Sequence, residues 1–199
     1  YDKLEDESKV TALVRLAADE EGEDEIADAV TDGEKACVIT SETPFYGTMG
    51  GQVGDSGTLT ADGDTIVILQ TKRENNLAVH LSEQLPKDVT ATFHAVINKE
   101  NRLATSCNHT ATHLLHEALR EVLGTHVEQK GSYVSPESLR FDFSHFQKVT
   151  QEELRQVERI ANQKVREAIA LDEHRCVPIA EAKAMGAMAL FGEKYGEEV

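Results

Sequence analysis

The sequence predicts an α+β protein in which a small antiparallel β-barrel precedes a domain of long helices packed on an antiparallel sheet. Between residues 36 and 97, short runs rich in β-branched residues alternate with Gly, Pro, Asn and Asp, a pattern typical of small all-β folds. From residue 98 the apolar spacing changes from two to about 3.6, the period of an amphipathic helix. We therefore expect a barrel over 36–97 and an α+β domain over 98–199.

The first 35 residues differ from the rest in charge. They hold thirteen Asp or Glu against four Lys or Arg, a net charge of −9 out of −16 for the whole chain. Scattered Leu, Val and Ala among these acids predict an acidic, helical and solvated lead-in over 1–35. Because the remaining residues carry only −7, the overall acidity does not exclude a local basic surface that binds nucleic acid.

Composition also predicts where the protein works. The 199 residues contain no run of eighteen apolar residues and no apolar signal-peptide core, so we expect no membrane partner. The three cysteines, Cys37, Cys107 and Cys176, are odd in number and widely separated, which argues against a disulfide framework. These observations favour a reducing compartment, and we expect the cytoplasm.

A glycine-rich segment, "TPFYGTMGGQVGDSG" at 43–57, interrupts the predicted barrel. Five glycines in eleven residues allow the backbone to turn sharply and to approach another surface closely. Its Gly-Gly-Gln triplet, residues 50–52, also occurs in peptide-release factors, which hydrolyse peptidyl-tRNA esters. A barrel loop whose glycines only permit turns is an equally good interpretation. By contrast, "ADGD" at 61–64 predicts a simple hairpin turn.

The elements after residue 98 follow from their periodicity. The spacing predicts a long helix from 98 that ends at Gly124, strands over 126–134 and 138–145, and a second long helix over 150–170. Thr150 and Glu153 have the spacing of a capping box at the start of that helix. A third helix is predicted to follow before the chain becomes rich in glycine.

Three histidines of the first long helix share one face. At about 100° per residue, His109, His113 and His116 fall on one polar stripe, opposite the apolar stripe. We therefore expect the histidines to point away from the packing face. That expectation excludes a buried core histidine and leaves two interpretations, a metal site and a solvated polar surface.

Two imidazoles at i and i+4 can bind one metal ion, as in zinc helices. A metallopeptidase is unsupported, because its catalytic glutamate position, directly after the first histidine, is occupied by Thr110. Two ligands do not complete a zinc site, which requires three or four. Cys107 lies on the far side of the helix and His116 is too distant along its axis, so spacing alone yields half of a site.

Two long segments resemble a known family. "HTATHLLHEALREVLGTHVEQKGSYVSPESLRFDFSH" at 109–145 resembles the editing domain of the alanyl-tRNA synthetase family, and 43–57 resembles the glycine motif of its preceding barrel. "AKAMGAMALFGEKYGEEV" at 182–199 is similar to the segment before that family's Cys-Gly-Gly-Thr-His motif. The resemblance covers about 37–199 and implies hydrolysis of tRNA-Ala that was wrongly charged with serine or glycine.

The resemblance also implies a cofactor and its ligands. His109 and His113 match the first two zinc ligands of the family, and a Cys and a His in the downstream motif would complete the set beyond Val199. It therefore implies that the editing domain over 98–199 is incomplete at its C-terminal end. ATP and magnesium would belong to an aminoacylation domain outside this chain, and the partners would be tRNA-Ala and the rest of the synthetase, with no DNA.

Further site residues are implied by position. Gln129 matches a catalytic-pocket residue that would orient the aminoacyl group or a water molecule, and Thr110 would shape that pocket. A Thr110 hydroxyl bonded back to its own helix is equally compatible. Gly50, Gly51 and Gln52 match the glycine motif, a substrate-binding element that would close over the site or tune its selectivity.

Two alternative functions remain open from the sequence. A free-standing AlaX-type deacylase shares the barrel and the editing unit, although the acidic segment over 1–35 disfavours it. A non-catalytic RNA-binding module of the same fold would lack deacylation altogether. Measurement of Ser-tRNA hydrolysis separates the second alternative from both editing hypotheses.

Overall fold

The computed structural model describes residues 3–15, 25–26, 36–83, 86–174, 176–187 and 196–197. Its strands are Glu5–Arg15 (β1), Glu25–Ile26 (β2), Ala36–Thr40 (β3), Gly57–Ala61 (β4), Asp64–Ile68 (β5), Gln70–Glu74 (β6), Leu77–Ser82 (β7), Thr92–Ile97 (β8), Gln129–Val134 (β9) and Leu139–Phe143 (β10). Its helices are Lys99–Leu123 (α1), Gln151–Glu167 (α2) and Ile179–Ala184 (α3). The predicted α+β class is confirmed.

The residues cluster into two compact units. One contains the described residues of Tyr1–His113 together with Gly131–Asp142, and the other contains those of Leu114–Lys130 and Phe143–Val199. This division by compactness falls within α1, whereas the sequence predicts a domain boundary at 97/98. The predicted barrel and editing-domain boundaries stay predictions.

The first unit is built on an antiparallel sheet with the strand order β5-β4-β8-β1-β3-β7-β6, and β2 pairs with β1. Strand β1 takes part in two successive pairings, with β8 through Glu5–Lys9 and with β3 through Val10–Arg15. A β-bulge between Val10 and Ala12 lies within the β3 pairing, next to the point where β1 changes partner. Bulges bend a strand, so β1 forms a corner of the sheet.

The described part of the acidic lead-in is therefore strand, and the predicted helices are wrong there. Ser8 and Leu13 are both buried although they lie five residues apart, which in a regular strand would place them on opposite faces. The bulge adds the extra residue that brings both side chains inward and hides the period of two in the sequence. Apart from β1, β2 and residues 3–4, the residues of 1–35 lie outside the described ranges.

A second corner lies between β5 and β6, the two ends of the strand order. Only Leu69 separates these strands, and its N–H donates to Leu81 O at 2.9 Å. Near the same bend, Ser82 Oγ donates to Val67 O at 2.8 Å. Closure of the sheet into a barrel stays a prediction, and the two corners favour it.

The core of this unit follows from the alternation of its strands. Inward residues of β8 and β5 alternate with outward ones, and the resulting cluster is apolar. Its buried members are Leu13, Val38, Phe45, Leu59, Ile66, Ile68, Phe93, Ala95 and Ile97. Phe45 belongs to the glycine-rich segment, so this core also fixes the start of that segment.

The predicted turn at 61–64 is confirmed as the hairpin between β4 and β5. Asp62 and Gly63 both have positive φ, 47° and 80°, as a two-residue type I′ turn requires. A Cβ added to Gly63 would meet nothing within 4 Å. Asp64 accepts from Lys87 N at 3.0 Å and lies 3.8 Å from the exposed Lys87 ammonium.

The elements after residue 98 agree with the sequence-based prediction. Helix α1 ends at Leu123 before Gly124, strands β9 and β10 pair, and α2 begins after Thr150. Thr150 and Glu153 form the predicted capping box, with each side chain bonded to the backbone of the other residue. None of the helices in the described ranges is long and apolar enough to cross a membrane.

Candidate functional site

His109 and His113 lie one turn apart on α1, as the spacing predicts. Their rings stack with centroids 5.2 Å apart and planes inclined by 14°. His109 is half-buried and His113 is exposed. The pair therefore places two imidazoles side by side on α1.

The half-buried His109 has a defined hydrogen-bond partner. His109 Nδ1 lies 2.6 Å from Gln52 Oε1, a carbonyl oxygen that can only accept, so Nδ1–H donates. Burial lowers the pKa of His109 below its ordinary value, and the neighbouring His113 lowers it further. A neutral imidazole is the form that binds a metal ion.

Gln52 reaches His109 from a tight turn. Gly50 and Gly51 have φ of 58° and 86°, and Met49 and Gln52 exchange both backbone hydrogen bonds across them. Positive φ at both central residues is the type I′ geometry, which glycine adopts without strain. The Gly-Gly-Gln triplet thus forms a turn that directs a glutamine side chain onto α1.

The same turn is fastened to β9. Val53 N donates to Val134 O at 3.0 Å, and Val134 N donates to Gly51 O at 2.8 Å. A Cβ added to Gly51 would lie 2.5 Å from Ser132 Oγ and closer still to the Ser132 carbonyl oxygen. Gly51 is therefore required both for its φ and for its close approach to β9.

A buried ion pair joins the segment to α1 at a second point. Arg102 Nε lies 2.9 Å and 3.0 Å from the two oxygens of Asp55, and the Arg102 Nη2 also contacts that carboxylate. The two side chains are only 5% and 8% exposed. Arg102 Nη2 further donates to Pro44 O at 3.0 Å, and Tyr46 N donates to Asp55 Oδ2 at 2.7 Å.

A buried histidine holds the beginning of the segment. His80 of β7 is fully buried, with Nδ1 2.8 Å from Val38 O and Nε2 2.8 Å from Thr43 Oγ1. The carbonyl can only accept, so Nδ1–H donates to it and Nε2 accepts from the threonine hydroxyl. Burial lowers the pKa of His80, and the bond to Val38 opposes this only in part.

These contacts correct the expected orientation of α1. Arg102 and His116, which share the histidine stripe, are each 5% exposed, and Thr105 and Thr112 of the same side are also buried. The apolar Leu103 is 64% exposed. The histidine stripe is therefore partly buried, because Arg102 and His116 find partners outside α1, whereas His113 on the same stripe is exposed.

The remaining predicted site residues are placed as follows. Thr110 is exposed on α1, next to His109 in sequence. Gln129 is half-buried at the first position of β9 and belongs to the second compact unit. The structure thus brings His109, His113, Gln52 and the Gly50–Gly51 turn together within the first unit.

Sequence reasoning missed Arg102 and Asp55 as parts of this arrangement. Arg102 falls on the histidine stripe by helical spacing, and Asp55 lies in the glycine motif, but they are 47 residues apart in the sequence. A basic residue on the stripe and an acidic residue in the motif were the available signals. Nothing in the local pattern indicates that they pair.

The arrangement fits part of a zinc site. When Nδ1–H of His109 is bonded to Gln52, its Nε2 carries a lone pair that can bind a metal ion. The ring of His113 stacks beside that of His109. Among the residues that the structure describes, no group of three His, Cys, Asp or Glu is placed to hold a metal ion. The described chain supplies two nitrogen donors of the three or four that zinc requires.

Comparison with known proteins gives a consistent assignment. Residues 1–101 match the family model described as tRNA synthetases class II (A). Alanine–tRNA ligase of Parabacteroides distasonis is 69% identical over 162 residues, 81% of this chain and 19% of the relative. The ligase of Porphyromonas gingivalis is 64% identical over 163 residues, again 81% and 19%.

A third relative extends over the whole chain. Alanine–tRNA ligase of Christiangramia forsetii is 49% identical over 200 residues, 100% of this chain and 22% of the relative. The chain thus spans about a fifth of the length of the curated relatives that it matches. From the match over residues 1–101, about half of its length, the chain belongs to the class II (A) tRNA synthetases.

Proposed function

We propose that this chain is the editing portion of an alanine–tRNA ligase and that it hydrolyses tRNA-Ala mischarged with serine or glycine. In the whole protein, which would work in the cytoplasm, another part would attach alanine to tRNA-Ala with ATP and magnesium. The observation that carries the proposal is the His109–His113 pair, in which the buried Gln52 holds one ring by its Nδ1. The names of the relatives supply the choice of amino acid.

Editing compensates for the limited selectivity of a small amino-acid binding pocket. A pocket for alanine excludes larger side chains by size, but it cannot strongly reject glycine or a side chain with one added hydroxyl. A second, hydrolytic site removes such errors after they form. The bond to be broken is an aminoacyl ester, which a positioned water molecule can attack without a covalent intermediate on the protein.

Each predicted site residue has its own role in the proposed hydrolysis. His109 and His113 would donate two imidazole nitrogens to zinc, with the remaining ligands supplied from outside the described residues. Bound zinc supplies Lewis-acid polarisation or an anchor for substrate. Gln129 would orient the aminoacyl group or the water, Thr110 would shape the pocket, and the Gly50–Gly51 turn would border it.

Hydrolysis of Ser-tRNA-Ala by the full-length protein tests this function. His113→Ala is expected to lower the hydrolysis rate by at least about 10-fold, since loss of one ligand weakens the metal site. His94→Ala makes the same change on the exposed face of β8 and is the matched control. Attachment of alanine should be unchanged in both variants. Wild-type hydrolysis by His113→Ala would show that the histidine pair is not the hydrolytic site.

The pocket role of Gln129 has a separate test. Gln129→His is expected to change the ratio of Ser-tRNA-Ala to Ala-tRNA-Ala hydrolysis, because it alters the group that orients the aminoacyl moiety. An unchanged ratio would remove Gln129 from the pocket and leave the histidine site standing. A protein that binds tRNA-Ala but hydrolyses neither substrate would support the non-catalytic module instead.

A further inference from the structure

Gln52 lies among the glycine-motif residues that the resemblance assigns to substrate binding, but its surroundings suit a different role. Its side chain is 1% exposed, so a substrate cannot reach it without displacing the turn that carries it. Its Oε1 lies 2.6 Å from His109 Nδ1. We propose that Gln52 is a positioning residue that fixes the tautomer and direction of His109, an inference that rests on the proposed metal role of this histidine.

The tautomer follows from the hydrogen-bond chemistry of the two side chains. A neutral imidazole carries one N–H and one bare nitrogen, and the nitrogen that carries the proton is set by its hydrogen-bond partner. Gln52 Oε1 can only accept, so it selects Nδ1–H and leaves Nε2 bare. A bare Nε2 is the donor that His109 needs in order to bind a metal ion.

The position of Gln52 is over-determined by its backbone. The Gly50–Gly51 turn closes directly before it, and the two hydrogen bonds to Val134 hold the turn on β9. Three residues further on, the buried pair between Asp55 and Arg102 attaches the same segment to α1. Arg102 lies seven residues, about two helical turns, before His109, so the segment that carries Gln52 and Asp55 meets α1 at two points.

A hydrogen bond to the non-ligating ring nitrogen of a histidine strengthens the binding of a metal ion at the other nitrogen. Loss of a partner that orients a ligating histidine typically lowers metal affinity or activity by about 10- to 100-fold. A freely rotating His109 would divide its population between tautomers and directions. Gln52 therefore contributes to affinity through His109 and does not contact substrate.

The first experiment reads the tautomer without any metal. In the 199-residue chain with ¹⁵N-labelled histidine, two-bond proton–nitrogen spectra distinguish bare from protonated ring nitrogens, and His109→Ala identifies the signals. Wild type should show a bare Nε2 in His109. Gln52→Met should give a mixture of tautomers, and Gln52→Glu, which keeps an acceptor oxygen, should restore the wild-type state.

Gln70→Met makes the same chemical change in β6 and should leave the spectrum of His109 unchanged. If Gln52→Met does not fold, Gln52→Asn keeps the amide and shortens its reach by one methylene, with the same expected mixture. If His109 keeps only a bare Nε2 in Gln52→Met, or in Gln52→Asn where Gln52→Met does not fold, the inference is overturned.

The second experiment measures zinc affinity of the full-length protein by competition with a chromophoric chelator. Gln52→Met should weaken zinc binding by about 10- to 100-fold, Gln52→Glu should bind within a few-fold of wild type, and Gln70→Met should match wild type. If His113→Ala abolishes zinc binding and Gln52→Met leaves it intact, the proposed site stands and the role of Gln52 fails. If wild type binds no zinc, the proposed function fails, and the tautomer measurement still decides for Gln52.

Discussion

The turn at Gly50–Gly51 and the turn at Asp62–Gly63 share a backbone geometry but have different surroundings. Both have positive φ at two successive residues. A Cβ on Gly63 would meet open space, whereas a Cβ on Gly51 would collide with Ser132 of β9. The Asp62–Gly63 turn only reverses the chain. The Gly50–Gly51 turn also presses against a neighbouring strand, and the structure around it is correspondingly fixed.

The charged neighbours of the two turns differ in the same way. Asp55, after the Gly50–Gly51 turn, pairs with Arg102 where both side chains are almost fully buried. Asp64, after the Asp62–Gly63 turn, lies beside a Lys87 side chain that is 86% exposed. The sequence of a turn specifies only the path of the chain. The burial of the residues around it distinguishes the turn that belongs to a site.

The largest expected effect is the loss of the buried ion pair. Arg102→Ala leaves the Asp55 carboxylate buried without its cation, and we expect the free energy of unfolding to fall by about 3–5 kcal/mol. Urea denaturation of the 199-residue chain measures it. The double variant Arg102→Met with Asp55→Leu should lose less than the sum of its single changes, because no lone charge remains. A loss below about 1 kcal/mol in Arg102→Ala would show that the pair does not fix the segment.

Substitution of the two glycines compares the turns directly. Gly51→Ala and Gly63→Ala both place a Cβ at positive φ, which costs about 1–2 kcal/mol. Gly51→Ala adds the collision with Ser132, and we expect a further loss of about 1–3 kcal/mol. Gly50→Ala, with nothing within 4 Å of the added Cβ, should behave like Gly63→Ala. Equal denaturation midpoints for all three would mean that the approach to β9 is not tight.

A pH titration tests the histidine at the start of the glycine segment. Burial lowers the pKa of His80 in the folded state, so the unfolded state takes up its proton first as pH falls. Its contribution to stability is complete well above 6.5, the ordinary histidine value, and is lost as pH falls from there towards the lowered pKa. The difference in unfolding free energy between wild type and His80→Gln should shrink over that interval. A constant difference would exclude a neutral buried His80.

The smallest expected effect lies at the ion pair beside the Asp62–Gly63 turn. Lys87→Ala removes an exposed ammonium 3.8 Å from Asp64, and exposed pairs contribute about 0–1 kcal/mol. The Lys87 backbone N–H still donates to Asp64, because the substitution leaves the main chain intact. Denaturation in low and in moderate salt measures the change. A loss comparable to that of Arg102→Ala would remove the contrast between the two turns.

The elements that the sequence predicts are those whose signals are local. Helix α1 before Gly124, the capping box at Thr150, and the hairpin at 61–64 each depend on residues within one or two turns of one another. Such signals are complete in a single stretch of chain. The family resemblance added the two histidines as ligands, and their adjacency on one face follows from the same local period.

The features that escaped prediction depend on distant partners. Strand β1 was hidden because a bulge shifts its alternation and because acidic residues resemble a solvated helix. The partial burial of the histidine stripe on α1 was not predicted, because Arg102 bonds to Asp55, 47 residues away, and His109 bonds to Gln52, 57 residues away. Burial of a polar side chain depends on its partner, which a periodicity analysis does not contain.

The double pairing of β1 determines where this protein can be divided. A fragment that begins at residue 36, where the sequence first turns strand-like, would keep β8 and β3 but remove the strand between them. Each would then expose a row of unpaired amide and carbonyl groups in the middle of the sheet. Such edges recruit strands from other molecules, so the shortened protein would self-associate, although every residue of the histidine site would still be present.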